Sequence, residues 1–268
     1  MERPSWAPVG VDIERPSAAR LYDYALGGSH NFAVDRELFR QLIVAVPDLV
    51  AQAQASRAFL RRAVRFLVDA GVRQFLDIGS GIPTRGNVHE IAQRVAPDAR
   101  VMYVDIDPVA VAHSRAILAG NGRVGVLQED LRRPEQILGH PQVRRLLDFD
   151  QPIAVLLVAM LHQVSDEDDP AGIIAQLRDA VAPGSYLVIS HGTSESRPEV
   201  AAEGVQVLRR SGVQATLRTR VQVERLFAGF ELVEPGVVWA PQWRPDAPED
   251  ADDHPERSIM LVGAGRKP

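Results

Sequence analysis

From about residue 72 onward, short apolar runs alternate with stretches of helical periodicity. This alternation restricts the fold strongly, because successive parallel strands need a crossover that a helix usually supplies. The predicted strands are Gln74–Ile78, Arg100–Val104, Val124–Leu127, Pro152–Val158 and Tyr186–Ser190. The predicted helices between them are Asn87–Val95, Pro108–Ala119, Pro134–Leu147 and Asp169–Ala182. The sequence therefore predicts an α/β fold with a mostly parallel sheet.

The last part of the chain departs from this alternation. Two further strand patterns, Phe230–Trp239 and Arg257–Gly263, follow each other with only a Pro- and Asp-rich segment between them. Sequential strands without a helical crossover can pair only antiparallel. We therefore expect a Rossmann-like, seven-stranded, mostly parallel sheet with a terminal antiparallel strand pair.

Residues 1–71 have a helical pattern. The predicted helices are Ala18–Ala25, Asp35–Val46 and Val50–Ala70. Three short helices alone would bury little apolar surface, so we interpret this segment as an N-terminal helical cap over the mouth of the core. The cap (1–71) and the core (72–268) are then parts of one domain.

Composition excludes several classes of protein. The chain has 30 basic and 35 acidic residues, a net charge of −5, which disfavours a nucleic-acid partner. It has no cysteine, and no His, Asp or Glu set has the spacing of metal ligands, so we expect no metal. No apolar stretch reaches the roughly 18 residues of a membrane span, and the first residues lack an apolar signal segment. We expect a cytoplasmic protein with no membrane partner.

The central motif follows the first predicted strand, where Asp77 leads into a tight turn containing Gly79, Ser80 and Gly81. In open α/β sheets, ligands bind at the carboxyl ends of the strands near the point where the strand order reverses. Glycines let the backbone approach a ligand, and Asp77 can accept hydrogen bonds from an ammonium group, which S-adenosyl-L-methionine carries and NAD lacks. The dinucleotide motif G-x-G-x-x-G would need glycine at Thr84. We predict S-adenosyl-L-methionine as the cofactor. Its predicted contacts in this motif are Asp77, Gly79, Ser80, Gly81 and Thr84.

The second predicted strand ends in Asp105-Ile106-Asp107-Pro108. An acid at this strand end is suited to bind both ribose hydroxyls of a nucleotide, so Asp105 and the adjacent Ile106 are predicted cofactor contacts. Asp107 precedes a proline and is interpreted as the cap of the next helix.

The third and fourth strand ends complete the predicted cofactor site. Asp130 and the backbone of Leu131 are suited to recognise the adenine edge, since a carboxylate accepts from its exocyclic amine and an amide donates to a ring nitrogen. Ala159, at the exit of the fourth strand, is the last predicted cofactor contact.

With these motifs the chain resembles the class I S-adenosylmethionine-dependent methyltransferases. Within them it resembles an actinobacterial-type, largely uncharacterised family with an N-terminal Pro-Ser-x-Ala-Arg-x-Tyr-Asp-Tyr block, here Pro16 to Tyr24. The resemblance spans about residues 14 to 265, with Ser56 where the family pattern has Asn. It implies S-adenosyl-L-methionine as cofactor and S-adenosyl-L-homocysteine as product, and it implies little about the methyl acceptor.

Four side chains are candidates for the acceptor side. His162 and His191 follow the fourth and fifth predicted strands, and either can serve as a base near neutral pH or as a hydrogen-bonded structural residue. Tyr22 and Asn31 in the cap either line an acceptor pocket or anchor the cap. Arg57, by contrast, begins a stripe at four-residue spacing (Arg57, Arg61, Arg65) that we interpret as a solvated helix face.

Three functions remain open at this stage. The leading hypothesis is a methyltransferase with an unidentified small-molecule acceptor. The alternatives are a non-catalytic protein that binds S-adenosylmethionine or an adenosine nucleotide, and a nicotinamide-dependent oxidoreductase. An enzyme needs a cavity that extends beyond the cofactor's methyl group and is lined by residues such as His162. The presence of such a cavity distinguishes a methyltransferase from a non-catalytic binding protein. No oligomeric state follows from the sequence.

Overall fold

The computed structural model describes residues 6–8, 11–83 and 86–268, with backbone alone at 248 and 249. The strands are β1 Gln74–Ile78, β2 Arg100–Asp105, β3 Val124–Gln128, β4 Ala154–Val158, β5 Tyr186–Gly192, β6 Glu231–Leu232, β7 Val238–Trp239 and β8 Met260–Arg266. They form one sheet in the order β3-β2-β1-β4-β5-β8-β6, and β7 also pairs with β8. Strands β1 to β5 run parallel, whereas β8 is antiparallel to β5, β6 and β7. The predicted fold class and terminal antiparallel pairing are confirmed.

The helices are α1 Ala18–Ala25, α2 Ala33–Ala45, α3 Leu49–Asp69, α4 Val88–Val95, α5 Pro108–Ile117, α6 Pro134–Gly139, α7 Pro141–Leu146, α8 Pro170–Ala180, α9 Pro198–Arg210 and α10 Arg220–Arg225. The predicted helix Pro134–Leu147 is divided into α6 and α7. Pro141 lacks an N–H and is tolerated only in the first turn of a helix, so it begins a new one. None of the helices in the described ranges is long and apolar enough to cross a membrane.

The predicted strand Phe230–Trp239 is also divided, which gives eight strands where seven were expected. Gly236 lies between β6 and β7 with a φ of +82°, a left-handed conformation that interrupts an extended strand. Both halves nevertheless pair with β8, so the division changes the continuity of the edge and not its direction. The last strand starts later than predicted, because a 3₁₀ turn occupies Pro255–Ser258.

Helix α3 joins the N-terminal segment to the sheet. Phe59 and Leu67 on α3 are fully buried in the same hydrophobic cluster as Phe75 of β1. Burial of one large apolar side chain contributes about 1.5–3 kcal/mol, so α3 is held firmly on this face. Helices α1 and α2 form a smaller cluster beside it that includes part of α9.

The chain order fixes where a ligand can bind. It runs from β1 outward through β2 to β3 and then returns to β4 on the other side of β1. At this reversal the crossover helices lie on opposite faces of the sheet and leave a crevice at the carboxyl ends of the strands. The predicted cofactor residues follow these ends.

Candidate functional site at the carboxyl ends of the strands

The glycine turn after β1 is tied to β2 by its backbone. The amides of Gly79 and Ser80 donate to the Val104 carbonyl at 2.8 and 3.2 Å. Gly79 and Gly81 have φ values of +73° and +67°, which favour glycine. A Cβ atom on Gly79 would collide with Met160, whereas one on Gly81 would meet nothing within 4 Å. The backbone at Gly81 therefore borders open space that a ligand can enter.

Asp105 connects the end of β2 to this turn. Its carboxylate accepts hydrogen bonds from the amides of Gly81 at 2.7 Å and Asp107 at 2.8 Å. Burial raises the pKa of Asp105 to about 6. Asp107 accepts from the Val109 amide at 2.7 Å and caps α5, as predicted. Asp105 is thus the acid that faces the crevice with its position fixed by two backbone donors.

Asp77 lies deeper, at the end of β1. Its side chain is almost fully buried, and this burial raises its pKa to about 7, with the Arg57 guanidinium opposing the shift and Asp105 adding to it. Arg57 reaches the same crevice from α3 and donates to Asn87 Oδ1 at 2.9 Å. The interpretation of Arg57 as part of a solvated face is therefore wrong.

The other members of the arginine stripe behave as predicted. Arg61 and Arg65 pair with Asp246 at the exposed surface, where such pairs contribute little stability. Arg57 differs because it lies nearer the start of α3, where that helix passes over the strand ends, and a spacing pattern cannot show which end of a helix a neighbour covers.

The strand ends and the cap enclose a cavity of about 570 Å³, which we call the strand-end cavity. It is lined by nine of the ten predicted cofactor residues: Asp77, Gly79, Ser80, Gly81, Asp105, Ile106, Asp130, Leu131 and Ala159. The tenth, Thr84, lies outside the described residues. The volume of the strand-end cavity is within the range of about 300–1,000 Å³ typical of cofactor sites.

Asp130 is bound by the neighbouring Arg132. The Arg132 guanidinium donates to both carboxylate oxygens at 2.6 to 3.0 Å, and the Arg132 amide donates to Oδ1 at 2.9 Å. Burial raises the pKa of Asp130, but the bonds from Arg132 outweigh it and lower the pKa overall. Asp130 is therefore a carboxylate with part of its acceptor capacity already used.

A second cavity of about 200 Å³ adjoins the first, and we call it the apolar chamber. Both cavities are lined by Ala18, Tyr22, Ala159, Gln163, Val213 and Gln214. Ala159 has a φ of +55°, which is uncommon for a residue with a side chain. Its amide donates to the Ser190 carbonyl and hydroxyl at 3.2 and 3.1 Å, so β5 holds this strained residue at the boundary between the cavities.

The two candidate histidines have different environments. His162 lines the apolar chamber, and its Nδ1 has no hydrogen-bond partner among the described residues. Burial and the nearby Arg218 lower the pKa of His162 to about 4, so the ring is neutral at physiological pH. An unpartnered neutral imidazole in a cavity can accept a hydrogen bond from a ligand.

His191 is fully buried, and both of its ring nitrogens are occupied. Nδ1 donates to the Gly192 carbonyl at 2.8 Å, and Nε2 accepts from the Arg218 guanidinium at 2.8 Å. Burial and the neighbouring His162 lower its pKa to about 3. Among the described lining residues of the two cavities, His191 does not occur. The geometry argues for a structural role and against the predicted base.

The two cap candidates also differ. Tyr22 lines both cavities, and its hydroxyl donates to the Ala53 carbonyl at 3.1 Å. Asn31 is buried inside the cap, where its Nδ2 donates to Asp23 at 2.9 Å and its Oδ1 accepts from Arg36 at 3.1 Å. Tyr22 therefore borders the site, whereas Asn31 holds the cap together.

A buried ion pair joins the cap to the site. Arg20 on α1 pairs with Asp35 on α2 at 3.0 Å, and both side chains are at most 4% exposed. The Arg20 guanidinium also lies 3.7 Å from Asp107, beside the predicted ribose ligand, and Arg20 lines the strand-end cavity.

In the part of the chain that the structure describes, no group of three or more His, Asp or Glu side chains is arranged to hold a metal ion.

The fold is methyltransferase-like: a mostly parallel sheet has an antiparallel edge, and a glycine turn and acidic side chains line a cavity at the carboxyl ends of its strands.

Comparison with known proteins extends this assignment. A family model for S-adenosyl methyltransferases matches residues 4–268, and the chain belongs to that family. It is similar to a candidate methyltransferase from Thermobifida fusca YX, with 44% identity over 98% of this chain and 99% of the other and a TM-score of 0.93. It is also similar to a DUF574 family protein from Streptomyces avermitilis MA-4680, with 41% identity over 96% and 99% and a TM-score of 0.92. A search of curated proteins found no match.

Proposed function

We propose that this protein transfers a methyl group from S-adenosyl-L-methionine in the strand-end cavity to a small molecule in the apolar chamber. The observation that carries the proposal is the shared boundary at Ala159, which lines both cavities. A donor and an acceptor bound on either side of it are held next to each other, and this alignment is the main catalytic requirement of a displacement reaction.

The residues present fit the cofactor. Asp77 and Asp105 are buried carboxylates, suited to the ammonium group and the two ribose hydroxyls of the cofactor. Gly81 leaves space where a side chain would obstruct the ligand. Arg57 and Asp77 in one cavity offer charges complementary to both the carboxylate and the ammonium of its amino-acid part. When bound, the cofactor supplies an electrophilic methyl group on a sulfonium sulfur.

The chain's own residues then serve to align and shield this group. The cap residues Ala18 and Tyr22 cover the boundary between the cavities, and closing a site in this way excludes water. His162, which lines the apolar chamber, is neutral, and its Nδ1 has no hydrogen-bond partner among the described residues.

The two alternatives have less support. A protein that only binds the cofactor has no need of a second chamber lined by an unpartnered histidine, and this chamber favours an enzyme. Membership of the S-adenosyl methyltransferase family disfavours a nicotinamide-dependent oxidoreductase. A chamber of about 200 Å³ and a net charge of −5 favour a small-molecule acceptor over a nucleic acid.

Native mass spectrometry of the purified protein tests the assignment of the cofactor. We expect a bound species with the mass of S-adenosylmethionine or S-adenosylhomocysteine, displaced by added S-adenosylhomocysteine. A bound nicotinamide dinucleotide that resists this displacement would refute the proposal.

A further inference from the structure

The lining of the apolar chamber restricts the chemistry of its ligand. Its described lining consists mainly of aliphatic side chains with Phe39 and Tyr22, and includes no Asp, Glu, Lys or Arg. A charged group that enters such a site loses its hydration without gaining a counter-ion, which costs several kcal/mol. The chamber therefore selects against carboxylates, phosphates and protonated amines.

Two polar atoms of residues that line the chamber have no hydrogen-bond partner among the described residues. Gln52 on α3 is buried, and its side-chain amide nitrogen has no hydrogen-bond partner among the described residues. His162 Nδ1, from the exit of β4, is in the same condition. The hydroxyls of Tyr22 and Ser56, by contrast, bond to Ala53 and Ser190. Buried polar groups are almost always satisfied, so these two atoms point to a ligand that supplies the missing bonds.

A hydroxyl group matches the two unpartnered atoms. Its oxygen can accept a hydrogen bond from an amide such as that of Gln52, and its hydrogen can be donated to a neutral imidazole such as that of His162. An aliphatic amine does not fit, because it is protonated near neutral pH and then has no lone pair to accept a bond or attack a methyl group. An apolar cavity of about 150 Å³ binds benzene. The 200 Å³ of the chamber thus suits one substituted ring.

We propose that the acceptor is a neutral, largely apolar molecule of about the size of a substituted benzene ring, and that its single hydroxyl receives the methyl group. This inference rests on the proposed function. In the step, an oxygen lone pair forms the new bond to the methyl carbon, and the electrons of the carbon–sulfur bond remain on sulfur. The hydroxyl proton passes to His162 Nδ1 and from there to water.

Three probes of similar shape test the inference by calorimetry on the full chain, with and without saturating S-adenosylhomocysteine. They are 4-ethylphenol, ethylbenzene and 4-ethylbenzoate. We expect 4-ethylphenol to bind roughly 3- to 10-fold more tightly than ethylbenzene, the range of one net hydrogen bond. We expect 4-ethylbenzoate to bind more weakly than both. Equal affinities for 4-ethylphenol and ethylbenzene, or a higher affinity for 4-ethylbenzoate than for the other two probes, would overturn the inference.

Two variants connect the result to the chamber. Gln52→Leu keeps the side-chain size and removes the donor, so it should reduce the preference for 4-ethylphenol over ethylbenzene while ethylbenzene still binds. Ala201→Phe adds a ring to a buried lining position and should abolish binding of both probes. If Gln52→Leu kept the full preference for 4-ethylphenol over ethylbenzene, the hydrogen bond from Gln52 to the ligand would be contradicted. Binding of ethylbenzene to Gln52→Leu shows that the variant is folded.

The titration with S-adenosylhomocysteine separates this inference from the proposed function. Binding of S-adenosylhomocysteine without any probe binding would overturn the acceptor class and leave the cofactor assignment standing. Probe binding in the expected order without S-adenosylhomocysteine binding would support the chamber's selectivity and refute the methyltransferase assignment.

Discussion

The carboxylate of Asp105, at the end of β2, accepts a 2.7 Å hydrogen bond from the amide of Gly81, which follows β1. The bond joins two strand ends into one surface and leaves the remaining acceptor sites of the carboxylate for a ligand. Because hydrogen bonds to a charged group contribute about 1.5–3 kcal/mol each, Asp105→Ala should weaken S-adenosylhomocysteine binding by roughly 2–3 kcal/mol, measured by calorimetry.

Asp98→Ala is the matched control for this variant. Asp98 precedes β2, at the end of the strand remote from the cavity, and its side chain is 68% exposed. The same chemical change there should leave cofactor affinity unaltered. Equal affinities of Asp105→Ala and the wild-type protein, with an intact fold, would show that another acid binds the ribose.

Asp77 should make cofactor affinity dependent on pH. Its pKa is raised to about 7, so near neutral pH a substantial part of the free protein carries a protonated Asp77 that cannot pair with an ammonium group. S-adenosylhomocysteine affinity should therefore rise between pH 6 and 8. In Asp77→Asn the affinity should be weaker, and any remaining pH dependence should lie near the lower pKa of Asp105, about 6. A flat profile for the wild-type protein would contradict the role of Asp77.

The same pKa shift predicts a change in stability of opposite sign. The folded protein binds a proton at Asp77 more strongly than the unfolded chain does between pH 3.8 and about 7. This proton-linked stability is present at the acid end of the interval and is lost as the pH rises, by up to about 1.4 kcal/mol per unit. Asp77→Asn removes the effect, so the Tm of the variant relative to wild type should increase from pH 5 to pH 8.

His162 and His191 form a matched pair for testing stability. His191→Phe removes one hydrogen bond from the Arg218 guanidinium and one from the Gly192 carbonyl, which should lower the free energy of unfolding by about 1–3 kcal/mol. His162→Phe removes Nδ1, which has no hydrogen-bond partner in the described part of the chain, so its cost should stay below about 1.5 kcal/mol. Denaturant titrations of both variants measure the difference. Equal destabilisation would contradict the different roles assigned to the two rings.

Much of the fold followed from local signals. The strands β1 to β5 lie within a few residues of their predicted ends, because β-branched apolar runs bounded by turn residues mark buried parallel strands. The strand-end acids Asp77 and Asp105 were found for the same reason, since parallel strands bring their carboxyl ends to one edge. The edge strand was predicted less well, because Gly236 lies inside an otherwise continuous strand pattern.

The features of the site that the sequence did not predict depend on contacts between distant segments of the chain. The unpartnered nitrogen of Gln52 and the cavity-facing side of Arg57 are set by how α3 crosses the strand ends, which periodicity does not specify. The two histidines lie near the carboxyl ends of neighbouring strands, His191 within β5 and His162 in the turn after β4. The structural role of His191 depends on the bond between its Nδ1 and the Gly192 carbonyl and on the Arg218 guanidinium, which comes from a segment more than 25 residues away.

The cap should respond to the cofactor. Residues 14–36 contain the buried Arg20–Asp35 pair, and Arg20 also approaches Asp107 beside the predicted ribose site. Filling the strand-end cavity adds contacts to this segment, so its hydrogen exchange should slow when S-adenosylhomocysteine is added. Exchange in α8, on the other side of the sheet, provides the internal reference. If the segment and α8 respond alike, or neither responds, the cap only packs against the core and does not cover the cofactor.

We expect the strand-end cavity to bind S-adenosylmethionine and not a nicotinamide dinucleotide. A paired calorimetric titration of the wild-type protein with S-adenosylhomocysteine and NAD measures this preference. Asp77 favours S-adenosylmethionine, and Thr84 disfavours NAD because it occupies the position of the third glycine in the dinucleotide motif. NAD should bind at least about 100-fold more weakly than S-adenosylhomocysteine, a difference of about 2.8 kcal/mol. NAD binding as tight as that of S-adenosylhomocysteine, or tighter, would contradict it.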